Sequence, residues 1–83
     1  MSDTVPSATP DAKVLLNIRD DVAHITLNRP GAMNALDLEM AKQLLDVAMR
    51  CDETTEVRAV VLTGTGKTFC AGGDVKRFVT EAA

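Results

Sequence analysis

Tryptophan and tyrosine are missing from this 83-residue sequence, and Phe69 and Phe78 are its only aromatic residues. Modules that read single-stranded nucleic acid stack bases on aromatic side chains, so that class loses most of its support. Cationic charge is scarce as well. Nine Lys and Arg stand against twelve Asp and Glu, for a net charge of −3 and a pI near 4.9. That leaves no basic patch for phosphate backbones or anionic lipid. No apolar run has the length of a bilayer span, and the start of the chain has neither the basic nor the apolar region of a secretory signal. Cys51 and Cys70 form no CxxC pair, and His24, the one histidine, cannot complete a metal cluster with them. Reduced cysteines and no visible targeting segment point to the cytoplasm. A chain near this size buries only about 60% of the surface it would expose unfolded, so small domains usually add a disulfide or metal staple. This one has neither, yet its composition, 46% hydrophobic and 25% charged, is that of a folded domain.

Residues 1–12, with Ser2, Thr4, Pro6, Ser7, Thr9 and Pro10, read as a flexible leader. Order is expected over 13–83. Val14 to Arg19 reads as a strand, Asp20-Asp21 as a turn, and Val22 to Asn28 as a second strand with Ala23, Ile25 and Leu27 on one face. Two β-prone runs about a two-residue turn make an antiparallel hairpin, although Asp-Asp is a weaker turn signal than Asn-Gly. Arg29-Pro30-Gly31 ends that strand. Asp37 is placed to cap a helix over 37–53, with Met40, Ala41, Leu44, Leu45, Val47, Ala48 and Cys51 as its apolar stripe. Glu39, Lys42, Gln43, Asp46 and Arg50 fall mainly on the other side, Asp46 and Arg50 as an i,i+4 pair. Arg58 to Thr63 is a continuous apolar run, the pattern of a parallel strand covered on both faces. Strand, helix and strand form a right-handed βαβ crossover, so the fold class is α/β. A further helix is expected from Asp74 to about Ala82.

Gly64-Thr65-Gly66-Lys67-Thr68 follows the last strand and imitates a phosphate-binding loop. The spacing does not fit: the first glycine of such a loop would fall on Val61, and the third glycine of a dinucleotide fingerprint on Phe69. It reads as a turn. Ala71-Gly72-Gly73-Asp74 carries more chemistry. Glycines at the foot of a helix leave backbone N–H groups open to an anionic oxygen, which suits an oxyanion hole. On spacing alone a glycine turn capped by Asp74 is the commoner outcome.

Together these segments have a familiar order. Arg29-Pro30, Asn34-Ala35-Leu36, a helix, Val60-Val61-Leu62-Thr63-Gly64, then Phe69-Cys70-Ala71-Gly72-Gly73-Asp74-Val75 resemble the crotonase superfamily, the enoyl-CoA hydratase/isomerase family, over residues 13–83. The resemblance implies the N-terminal portion of a crotonase-like (ClpP/crotonase) spiral, an antiparallel hairpin leading into a βαβ unit. It implies that Gly73 donates its backbone N–H to a thioester carbonyl oxygen, with Ala71, Gly72, Asp74 and Val75 around the acyl-thioester end. Met33 and Ala35 lie in the segment that resembles the coenzyme A lining. Members often carry Ala where Gly73 stands; the N–H is the same.

Coenzyme A is then part of the substrate, and no separate cofactor is implied. The implied partner is an acyl-CoA thioester, with no nucleic acid and no membrane. In the family the second carbonyl donor and the proton-moving acids lie downstream of the segment matched here. The chain is therefore expected to be a catalytically incompetent piece of a larger domain, unable to form the trimers common among full-length relatives. Hydration of a 2-enoyl-CoA is the leading reaction, followed by double-bond isomerisation. Hydrolysis of the 3-hydroxyisobutyryl-CoA type and a non-catalytic binding module are the alternatives. Glu39, Asp46 and Glu56 are read as surface charge, Asp74 as a cap, His24 as structural, Cys70 as a compact neighbour of the glycines, and Lys76 and Arg77 as solvated.

Overall fold

The computed structural model describes residues 12–74. Strand β1, Val14–Arg19, pairs antiparallel with β2, Val22–Leu27, from Val14 opposite Leu27 to Arg19 opposite Val22. The turn between them is only Asp20-Asp21, and both residues have positive φ, 53° and 65°. A two-residue hairpin demands left-handed backbone at both central positions, because only that twist matches the strands. Aspartate tolerates the conformation better than other side chains apart from asparagine and glycine. The weak turn signal thus closes the hairpin in the usual geometry.

Past a single 3-10 turn at Pro30–Ala32 the chain enters α1, Leu38–Glu53. Asp37 caps it as the sequence leads one to expect, its carboxylate accepting from the Met40 N–H at 2.8 Å. Thr54 closes the other end, its N–H donating to the Cys51 carbonyl. The Asp46–Arg50 pair forms at 3.1 Å on an exposed turn. Strand β3, Ala59–Gly64, then lies parallel to β2, giving a sheet of order β1-β2-β3. Hairpin and βαβ crossover both stand as read from the pattern. No helix of the described residues is long and apolar enough to cross a membrane.

The core is one-sided. Val14 and Leu16 from β1, Ala23, Ile25 and Leu27 from β2, and Met40 and Val47 from α1 are buried together. The alternation along β2 is the one the sequence implies, with every second residue turned toward the helix. Three expectations need correction. The continuous apolar run of β3 is the pattern of a strand covered on both faces, yet Val60, Val61 and Leu62 are exposed among the described residues. Helix α1 packs against β1 and leaves the β3 side of the sheet without a layer among the described residues. Likewise Leu45 and Ala48, assigned to the apolar stripe, face outward, and Met49 is exposed beside them. Burial follows from what is packed against a side chain, which its hydrophobicity alone does not supply.

Gln43 also leaves the polar face assigned to it. Its Oε1 accepts from the N–H groups of Lys13 and Val14, at 2.8 and 3.1 Å, and ties the start of β1 to the helix.

Candidate functional site

Two loops that lie far apart in sequence come together at one end of the sheet. Met33 and Asn34 both adopt positive φ, 53° and 57°, which turns the chain back after the 3-10 turn. The segment that follows runs beside the glycine loop. The Ala71 N–H donates to the Met33 carbonyl at 3.0 Å, the Leu36 N–H to the Gly72 carbonyl at 2.8 Å, and the Asp74 N–H to the Leu36 carbonyl at 2.7 Å. These bonds make a parallel bridge of Leu36 with Gly73. Backbone groups alternate in direction along an extended chain. Because the Gly72 carbonyl and the Asp74 N–H both face Leu36, Gly73 turns its own N–H to the opposite side. The Gly72 N–H is taken by the Cys70 sulfur at 3.4 Å. Of the four N–H groups from Ala71 to Asp74, only that of Gly73 lacks an acceptor among the described residues.

Asn34 holds this arrangement from inside. Its side chain is fully buried, and all three of its bonds go to backbone. Oδ1 accepts from the Arg29 N–H at 2.7 Å, and Nδ2 donates to the carbonyls of Thr65 and Thr68, at 2.9 and 2.8 Å. One amide therefore joins the exit of β2, the loop after β3 and the approach to the glycines. Gly64 makes room for it. A Cβ there would stand 2.3 Å from the Phe69 carbonyl oxygen and 2.8 Å from Asn34 Nδ2. Gly64→Ala is accordingly expected to cost about 1–3 kcal/mol by overpacking, measured as a lowered urea midpoint with unchanged slope.

The charges form a second layer. Buried Asp37 meets Lys13 at 2.8 Å and Arg29 at 3.6 Å, and Lys13 also reaches Glu39 at 2.9 Å. Burial alone would push the Asp37 carboxyl up. The Lys13 hydrogen bond, the Met40 N–H and the charges of Lys13 and Arg29 outweigh it and hold the carboxyl below its ordinary value. Hydrogen bonds to Asp37 and Glu39 raise Lys13 against the opposing effect of burial. The Arg29 guanidinium donates from Nη1 to the Ala35 carbonyl at 2.8 Å and to Asp74 Oδ2 at 3.0 Å.

Each residue singled out in the sequence can now be placed. Met33 is exposed and Ala35 half-buried on one loop; Ala71, Gly72 and Gly73 are exposed and Asp74 half-buried on the other. Val75, Lys76, Arg77 and the helix expected from Asp74 lie outside the described residues. Asp74 forms an ion pair with Arg29 at 3.0 Å. His24 sits on β2 opposite Asn17 and Val61, apart from these loops. Burial pushes the Cys51 thiol up, away from the thiolate form. Among the described residues no three His, Cys, Asp or Glu are grouped to hold a metal. Nothing local in the sequence marks Arg29, Asn34 and Lys13 as organisers of the site. A charged residue just before Pro30-Gly31 and an Asn in a loop signal a strand end and a turn, not the partners that a fold brings to them.

The family model of enoyl-CoA hydratase/isomerase matches residues 22–83. The chain belongs to that family. Its segment of the enoyl-CoA hydratase/isomerase fold is 50% identical over 66 residues to a probable enoyl-CoA hydratase of Mycobacterium leprae, covering 80% of this chain and 22% of that protein. It is 40% identical over 70 residues to 3-hydroxyisobutyryl-CoA hydrolase 1 of Arabidopsis thaliana, covering 84% of this chain and 18% of the hydrolase. A crystal structure of a probable enoyl-CoA hydratase/isomerase from Mycobacterium abscessus superposes with a TM-score of 0.78 at 40% identity, over 82% of this chain and 27% of that one. The chain thus spans about a fifth of the length of the curated relatives it matches, and the crotonase fold seen in it is the N-terminal part of the family architecture.

Proposed function

We propose that this segment binds an acyl-CoA thioester and that the Gly73 N–H is the donor to its carbonyl oxygen. The observation that supports this reading is the lone N–H of Gly73, exposed and directed away from the bridge that employs its neighbours. A preset donor of this kind strengthens its bond as negative charge grows on the oxygen during enolate formation, a contribution of about 3–4 kcal/mol to a barrier. Ala71, Gly72 and Asp74 form the wall around the acyl end, and Met33 and Ala35 lie along the path of the coenzyme A arm. Backbone recognition explains why small side chains fill the loop: bulk there would keep the carbonyl from the donor.

Enolate chemistry on a 2-enoyl-CoA, as hydration or isomerisation, fits the relatives named hydratase or isomerase. Thioester hydrolysis is a second reading, favoured by the identity with the Arabidopsis hydrolase; both need the same carbonyl contact. A proton-moving acid is a separate requirement. Asp74 is held by Arg29 and Asp37 by Lys13, so neither serves as a base. Crotonyl-CoA is therefore expected to be bound and not hydrated by the 83-residue chain.

The test compares binding of crotonyl-CoA with that of S-butyl-CoA, which has the same coenzyme A arm and no thioester carbonyl. A single carbonyl hydrogen bond is expected to favour the thioester by roughly 3–10-fold. Gly73→Pro, which removes the N–H, should abolish that preference, whereas Gly73→Ala should keep it. Equal affinity for the two ligands, or a preference that survives Gly73→Pro, overturns the assignment.

A further inference from the structure

The Gly73 N–H has little to hold it in direction. The bridge to Leu36 is isolated, and the two glycines that flank the critical peptide have the widest conformational freedom of any residue. Gly72 occupies a φ of +102°. A donor that must meet a carbonyl within a few tenths of an ångström needs an additional restraint on both sides of the bridge.

Arg29 stands where such a restraint would have to be. Its Nη1 donates to the Ala35 carbonyl on one strand of the bridge and to Asp74 Oδ2 on the other. Ala35 precedes Leu36, and Asp74 follows Gly73, so one guanidinium clasps the bridge from its two sides. The clasp is itself anchored. The Arg29 N–H is held by the buried Asn34, and its Nη2 lies 3.6 Å from Asp37, the cap of α1. The side chain is mostly buried, as is that of Asp74, so the pair is shielded from solvent competition that weakens surface ion pairs. Charge supports the same reading. Lys13 lies at 2.8 Å from Asp37, closer than Arg29 does, and the shorter Arg29 contacts go to Ala35 and Asp74, one on each side of the bridge. Both bonds come from Nη1, and a planar guanidinium fixes their directions more rigidly than a freely rotating ammonium would.

We propose that Arg29 is a positioning residue for carbonyl recognition: by bridging Ala35 and Asp74 it sets the direction of the Gly73 N–H. The proposal rests on the reading of Gly73 as the carbonyl donor. It assigns to Arg29 no contact with the ligand.

The experiment measures the affinities of crotonyl-CoA and S-butyl-CoA for the 83-residue chain and for Arg29→Gln, Arg29→Lys and Asp74→Asn. A positioning role predicts that the thioester preference, roughly 3–10-fold in the parent chain, falls to near one in Arg29→Gln and in Asp74→Asn. S-butyl-CoA affinity should stay unchanged in Arg29→Gln, and Arg29→Lys should recover only part of the preference. Amide spectra of each variant report whether the sheet persists. A preference near one in the parent chain overturns the Gly73 assignment together with this proposal. A parent preference that survives in Arg29→Gln overturns the proposal alone. A parallel loss of affinity for both ligands, or loss of the fold in all three variants, makes Arg29 merely structural and also overturns it.

Discussion

Asn34→Ala is expected to destabilise the chain by about 3–4 kcal/mol, the largest effect of any single side-chain truncation in the loops. Three backbone groups lose their partner at once: the Arg29 N–H and the carbonyls of Thr65 and Thr68. Each buried group left unpaired costs about 1–3 kcal/mol, the lower figure applying where water can reach it. The left-handed backbone of residue 34 adds to this, since Ala lacks the local polar contacts that ease Asn into it. Asn34→Asp is the informative companion. The carboxylate can still accept from Arg29, but it faces two carbonyl oxygens with no hydrogen to offer, so the variant should be nearly as damaged as the alanine. Urea denaturation followed by circular dichroism checks both. A loss below about 1 kcal/mol in Asn34→Asp would mean that the Nδ2 bonds contribute little.

Asp37→Ala is expected to cost about 2–4 kcal/mol. The carboxylate caps α1, is fully buried, and balances Lys13 and Arg29, two cations that remain when it is removed. The partial exposure of Lys13 holds the figure below that of a wholly buried pair. The pH dependence follows from the direction of each shift. The folded value of Asp37 lies below its ordinary 3.8, so its stabilisation is fully present above that pH. It is lost as pH falls through the depressed folded value. Lys13 lies above its ordinary 10.5. Its contribution is complete below 10.5 and is lost as pH rises through the raised value. Stability attributable to the pair should therefore be flat from about pH 5 to pH 10 and fall on either side. In Asp37→Asn the acid limb should flatten, because the remaining amide does not titrate. An acid limb as steep as in the parent chain would place the titration on other carboxylates.

These predictions concern residues the sequence presents very unequally. Asp37 was legible as a helix cap, because a short acceptor before an apolar period has one common use. Its second role, as the buried centre of a charge cluster, was not legible, since Lys13 and Arg29 reach it from 24 and 8 positions away. The Ala71 to Asp74 run was legible as a place where N–H groups are left open. Which of the four is left open depended on the Leu36–Gly73 bridge. That pairing is set by the parallel approach of a loop more than thirty residues distant, and no local pattern encodes it.

The division has a physical cause. Periodicity, caps and turn residues act within a few positions, so the hairpin at Asp20-Asp21, the span of α1, the parallel strand β3 and the family itself could be read from residue order alone. Burial and hydrogen-bond partnership depend on what another part of the chain brings into contact. Only the tertiary structure could decide that Asn34 and Gln43 tie loops together and that Arg29 clasps the glycine loop. It alone showed that Val60, Val61 and Leu62 lie uncovered on a strand whose sequence reads as buried. The scarcity of aromatic and basic residues excluded functions without any structure. Which of the four N–H groups from Ala71 to Asp74 is left unclaimed among the described residues, that of Gly73, became visible only when its neighbours were seen to be occupied.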